Sequence, residues 1–194
     1  MTLRAEALAA IDAANADDPN TIEVRGQVRP KEQAHAELMT QTVRELDPDA
    51  DEVQLLAARA HHLRRWAIPR SSFPEGRAGY LRWRTAQKKQ HAADVGEILE
   101  SCGYVEGEIE RVQRIIRKEG LGTDPSVQTH EDALCLVFLR TQFADLAEQL
   151  GDDKIVDVVA KTMVKMSPSA IDRVASIGLD DRLLSIVGRA GTST

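Results

Sequence analysis

Residues 30–46 read PKEQAHAELMTQTVREL. In this stretch His35, Leu38, Met39, Thr42 and Leu46 recur at the i, i+3, i+4, i+7, i+11 intervals of a single helical stripe. The segment therefore predicts an amphipathic helix with a histidine on its buried face. The same period extends over nearly the whole chain. Helices are expected at about 2–16, 30–46, 50–66, 76–102, 105–119, 126–150, 152–166, 168–177 and 180–189. Valine and isoleucine nowhere alternate with polar residues for long enough to suggest a sheet. Punctuation supports the divisions: Asp17, Asp18 and Pro19 close the first helix, Pro48 and Asp49 open the third, Pro69 to Gly76 is a loop, and Gly120 to Pro125 is a turn. Ser167 with Pro168 offers a favoured N-cap followed by proline at the first helical position. The expected fold is all-α, a single-domain helical bundle over residues 1–194.

Composition narrows the function. A chain of 194 residues with 42% hydrophobic and 29% charged residues suits one soluble globular domain. Its formal net charge of −6 argues against generic nucleic-acid binding, which relies on excess Lys and Arg. No apolar run approaches the roughly 20 residues needed to span a membrane. The start, MTLRAEALAAIDAANADDPN, has no apolar signal core, so a cytoplasmic location is expected. Cys102 and Cys135 lie on apolar stripes and read as reduced core thiols. Asp47, Asp49, Asp51 and Glu52 resemble the opening of a calcium loop, but Glu52 stands where glycine is needed and Ala58 where glutamate is needed. Acids favoured in a first helical turn explain them better.

The histidines carry the chemistry. His61 follows Val53, Ala57 and Ala60 on an inner stripe, and His62 shares the neighbouring stripe with Leu55 and Ala58. Asp132 heads a stripe with Cys135, Leu136, Leu139 and Phe143, so its carboxylate begins an apolar face. One histidine on such a face is ordinarily a core residue bonded to backbone. Four inward polar residues on three helices read together as ligands for a divalent transition metal, with zinc, iron, nickel and manganese all open. His91 repeats on a stripe with Val95, Ile98 and Cys102 and is also expected inward.

Between Arg64 and Lys89 stand Arg64, Arg65, Arg70, Arg77, Arg82, Arg84, Lys88 and Lys89 against a single acid, Glu75, together with Trp66, Phe73, Tyr80 and Trp83. Guanidinium groups match phosphate oxygens, and aromatic faces stack on bases. The window reads either as a phosphate-binding wall beside the histidines or as a solvated helix face.

His35, the doublet in Leu-Leu-Ala-Ala-Arg-Ala-His-His-Leu and the aspartate of Glu-Asp-Ala-Leu together resemble the HD-domain superfamily of metal-dependent phosphohydrolases over roughly residues 30 to 145. The resemblance implies that His35, His61, His62 and Asp132 hold the metal, with His62 standing where the family has aspartate. It also implies that His91 matches an extra histidine of binuclear members, and that Lys118 and Glu119 fall where those members have another. Three imidazoles and one carboxylate favour zinc, iron, nickel or manganese over magnesium. Within this resemblance, Ala-His-His-Leu-Arg-Arg-Trp and Gly-Tyr-Leu-Arg-Trp-Arg are similar to an uncharacterised family sometimes labelled glutamyl-tRNA synthetase-like, although the chain has no nucleotide-binding strand and glycine loop.

The resulting expectation is hydrolysis of a phosphate ester, a nucleotide or other small phosphorylated metabolite. Arg64, Arg65, Arg82 or Lys88 would bind phosphate, and Glu131 or His91 would move a proton. The alternatives are an HD-type metal-dependent oxygenase, or a non-catalytic nucleotide- or RNA-binding module. Oligomeric state is open.

Overall fold

Caps set the helix boundaries in the computed structural model, which describes residues 2–24 and 26–192. Helix α1 (Leu3–Ala16) begins on Thr2, whose hydroxyl accepts from the Ala5 amide, and α3 (Glu52–Arg59) begins on a capping box between Asp51 and Gln54. The acidic run of 47–52 thus supplies a cap. Helix α6 (Pro125–Thr141) starts after Asp124, α9 (Pro168–Arg173) after Ser167 and α10 (Asp181–Gly191) after Asp180, each with a side chain accepting from the first turn. The remaining helices are α2 (Lys31–Leu46), α4 (Gly76–Ser101), α5 (Glu106–Arg117), α7 (Phe143–Leu150) and α8 (Asp152–Met163). The fold is all-α. No helix among the described residues is long and apolar enough to cross a membrane.

Four details depart from the sequence expectations. Residues 21–30 form an antiparallel hairpin, β1 (Thr21–Val24) with β2 (Gln27–Pro30), in which Thr21 pairs with Pro30 and Val24 with Gln27. Ile22 and Val28 alternate with charged residues over only four positions each, too few to stand out as a pattern. The third helix stops at Arg59 rather than near residue 66. The chain then passes through turns and a short 3₁₀ segment (Arg65–Ala67), with Arg64 left-handed at φ 51°. The expected helix at 126–150 breaks at Gln142 (φ −130°, ψ −15°), and the one at 168–177 tightens into a 3₁₀ turn after Arg173.

The chain divides into two compact units, residues 1–120 and 121–194. In the first, α2 and α3 pack together, α5 packs on α3 and α4, and α1 touches α2, α3 and α4. Ile11, Met39, Leu56, Leu63, Leu99 and Ile116 are fully buried there. Gly96 permits the α4–α5 approach: a Cβ at this position would lie 2.3 Å from the Gln113 amide nitrogen, which donates to Ala92 O at 2.9 Å. In the second unit α8 packs against α7 and α10, and α6 against α7 and α9, around Leu136, Leu139, Phe143, Ile155 and Ile186.

Candidate metal centre

The first turn of α2 is capped from a distance. Pro30 precedes the helix and provides no side-chain cap. Asp18 supplies one instead: its Oδ2 accepts from the Glu32 amide at 2.9 Å, and its Oδ1 accepts from the backbone and side-chain nitrogens of Asn20, both at 2.9 Å. The hairpin brings these residues together, because its base is closed by Lys31 N donating to Asn20 O at 2.9 Å. Glu32 and His35, one turn apart, are thereby fixed on the inner face of α2.

The end of α3 supplies the next residues. Because the helix stops at Arg59, His61 and His62 lie in the following turns, not on a helix as their stripes suggested. The left-handed Arg64 is held by its amide, which donates to Oδ1 of the buried Asn15 on α1 at 3.1 Å. This reversal seats the doublet against α2 and α4. The His61 and His62 ring centroids are 4.1 Å apart, and those of His35 and His91 lie 6.3 and 5.9 Å from His62.

One carboxylate joins the rings. Glu32 Oε2 stands 3.1 Å from His62 Nδ1 and 3.4 Å from His35 Nδ1, with the Glu32 side chain only 5% exposed. One candidate ligand atom from each of Glu32, His35 and His62 falls within 4.8 Å of the others. Burial alone would raise the Glu32 carboxyl, but the charge and hydrogen bonding of His62 and His35 outweigh it and hold Glu32 well below the usual carboxylate range. Burial pushes His62 down to about 3 although its side chain keeps 19% of its surface in solvent, with Glu32 opposing the shift and Arg65 adding to it. Burial likewise pushes His91 down to about 4, opposed by the Leu63 carbonyl. At neutral pH Glu32 is a carboxylate beside neutral His62 and His91 rings.

These residues fit a metal ion on their chemistry. Atoms bound at about 2.1 Å to a tetrahedral ion stand roughly 3.4 Å apart, close to the 3.4 and 3.1 Å that Glu32 Oε2 keeps from His35 Nδ1 and His62 Nδ1. Two buried ring nitrogens, Nε2 of His35 and Nε2 of His91, have no hydrogen-bond partner among the described residues. His91 Nδ1 donates to Leu63 O at 2.7 Å, which leaves the lone pair on Nε2. Metal-binding histidines are commonly oriented by such a carbonyl bond.

Of the four ligands read from sequence, His35, His61 and His62 are gathered, and His91 joins them. Asp132 belongs to the second unit, 4% exposed, where its oxygens are already engaged. Its Oδ1 accepts from Ser167 N at 2.8 Å and Gln128 Nε2 at 2.9 Å, and its Oδ2 from Ser167 Oγ at 2.6 Å. It thus ties α6 to the cap of α9. Asp132→Ala should cost roughly 2–3 kcal/mol of stability in chemical denaturation; parent-like stability would mean that these bonds contribute little to the fold. Glu131, 1% exposed, also lies in the second unit, paired with Lys165 Nζ at 3.2 Å.

The basic window divides. Arg70 donates to the carbonyls of Phe73 and Pro74 at 2.9 and 3.0 Å and shapes the loop. Arg64 and Arg82 are exposed, and Lys88 is half-buried. Arg65 is half-buried beside the cluster, close enough for its charge to act on His62 and His91. Glu32 is the residue the sequence reading missed. Its signal was present, since it precedes His35 by one turn on the same face.

The model of the family described as Domain of unknown function (DUF4202) matches residues 5–187. The chain belongs to that family, which spans both units. No curated protein and no solved structure matches the chain.

Proposed function

We propose that the protein is a metal-dependent hydrolase of a phosphate ester, acting on a nucleotide or other small phosphorylated metabolite. The observation that carries this reading is the buried cluster of Glu32, His35 and His62, with a half-buried arginine beside it. Glu32, His35 and His62 would hold the ion, and His91 adds an unprotonated Nε2 to the donor set. Bound there, a zinc, iron, nickel or manganese ion would acidify a water and polarise a phosphoryl oxygen. Burial suits His91 to a ligand's role rather than a proton carrier's, because a ring pushed down to about 4 holds almost no proton at neutral pH. Arg65 contributes positive charge where phosphate oxygens would lie. Glu32 would balance the ion's charge beside the Nδ1 atoms of His62 and His35.

Phosphate release from nucleoside monophosphates and p-nitrophenyl phosphate tests the reading. Chelator-treated protein should be inactive, and one of the four ions should restore turnover. A protein fully loaded with each ion that releases phosphate from no ester would overturn the hydrolase reading and leave the metal centre standing. The excess of imidazole over carboxylate favours one second reading, an iron-dependent oxygenase on the same cluster, which predicts oxygen consumption by the iron-loaded protein.

A further inference from the structure

Several arginines of the first unit end on carboxylates: Arg29 on Glu37, Arg59 on Asp12 and Arg111 on Asp51. Arg65 and Arg84 do not. Both are half-buried, and among the described residues neither guanidinium makes a hydrogen bond or an ion pair. Each lies instead on an aromatic ring, Arg65 4.7 Å from the Trp83 centroid and Arg84 5.8 Å from that of Tyr80. The two rings are 5.9 Å apart at 39°, so the four side chains form one cluster of two guanidinium groups on two neighbouring rings. A ring face attracts a guanidinium but fills none of its N–H donors in the plane of the fork.

Trp83 anchors the cluster. Trp83 Nε1 donates to Ile68 O at 2.9 Å. The buried Gln87 amide donates to Arg65 O at 2.8 Å and to Ile68 O at 3.0 Å. Gln87 therefore holds the Arg65 backbone and shares the Ile68 carbonyl with the ring beneath the Arg65 side chain. The charges of Arg65 and Arg84 are close enough to act on one another, with no carboxylate bonded to either. The Glu32 charge also acts on Arg65, but among the described residues it reaches neither fork as a hydrogen bond or ion pair, so the N–H donors of both stay open.

We propose that Arg65 and Arg84 together bind the doubly charged phosphoryl group of the substrate beside the metal centre, with Trp83 and Tyr80 as the positioning residues that hold the two forks. This assignment rests on the phosphate-ester reading and names the residues that would recognise the ester. It distinguishes Arg65 and Arg84 from the exposed Arg64 and Arg82. Planar forks suit a dianion through paired hydrogen bonds that an ammonium cannot reproduce.

Binding of inorganic phosphate to the metal-loaded protein, followed by calorimetry, tests the proposal. Arg65→Gln and Arg84→Gln should each weaken phosphate binding about tenfold to a hundredfold with metal content intact. Arg65→Lys should rescue little, and Arg82→Gln should bind like the parent. Trp83→Leu should weaken phosphate and Trp83→Phe should restore most of the loss, a pattern that a merely structural tryptophan would not give. If Arg65→Gln fails to fold, Arg84→Gln carries the test, because the Arg84 side chain lies on the exposed Tyr80 rather than on the anchored Trp83. Parent-like phosphate affinity in both arginine variants would overturn the proposal, as would a parent that binds no phosphate. Phosphate binding lost in these variants, in a parent that hydrolyses no ester, would uphold the receptor and reject the hydrolase. Ester hydrolysis with KM unchanged in both variants would do the reverse.

Discussion

Glu32→Gln should lower metal affinity on the order of a hundredfold or more, about 3 kcal/mol, in a protein that remains helical. The substitution keeps the volume of a nearly sealed side chain and removes the only carboxylate in the Glu32, His35 and His62 set. An amide oxygen is a weaker donor than a carboxylate and leaves the ion's charge uncompensated among imidazoles. A competition titration against a chromogenic chelator would measure the change. Unchanged affinity would mean that Glu32 merely accepts hydrogen bonds from His35 and His62.

The second large effect is expected at a residue that touches no ion. Asp18→Ala removes the acceptor of the Glu32 amide and of both Asn20 nitrogens. The loss should cost about 1–2 kcal/mol of stability, as for a deleted helix cap. Because the freed turn carries Glu32 and His35, metal affinity should fall roughly 10- to 100-fold, the range for lost supporting bonds. Asp18→Asn keeps an acceptor and should recover most of both quantities. If Asp18→Ala loses stability but binds metal as the parent does, Asp18 is a cap alone.

The parts of this site that sequence disclosed are those set by local periodicity. His35 and His91 lie on stripes whose other members, Met39 and Val95 among them, are buried, and their inward direction followed from spacing. Spacing reads His61 and His62 as ligands on a helix, whereas the chain carries both in the turns after Arg59, with the His62 ring near those of His35, His61 and His91. Their true setting depends on Asn15, 49 residues from Arg64, accepting the Arg64 amide and stabilising a left-handed turn that no local pattern announces. Asp132 likewise takes its partners from a distant stretch of the chain. A carboxylate heading an apolar stripe signals that it needs partners without saying which, and Ser167, 35 residues on, supplies them. Arg65 was one of eight cations in its window, and only the packing of Trp83 beneath it separates it from exposed Arg64 and Arg82.

The most direct test of the metal centre is elemental analysis of the purified protein after incubation with zinc, iron, nickel and manganese, joined to X-ray absorption of the loaded form. The account predicts close to one tightly held ion per chain, with imidazole scattering and nitrogen or oxygen ligands at about 2.0–2.2 Å, and loss of that ion in Glu32→Gln and in a His62→Ala variant. A parent protein that takes up none of the four ions would contradict it.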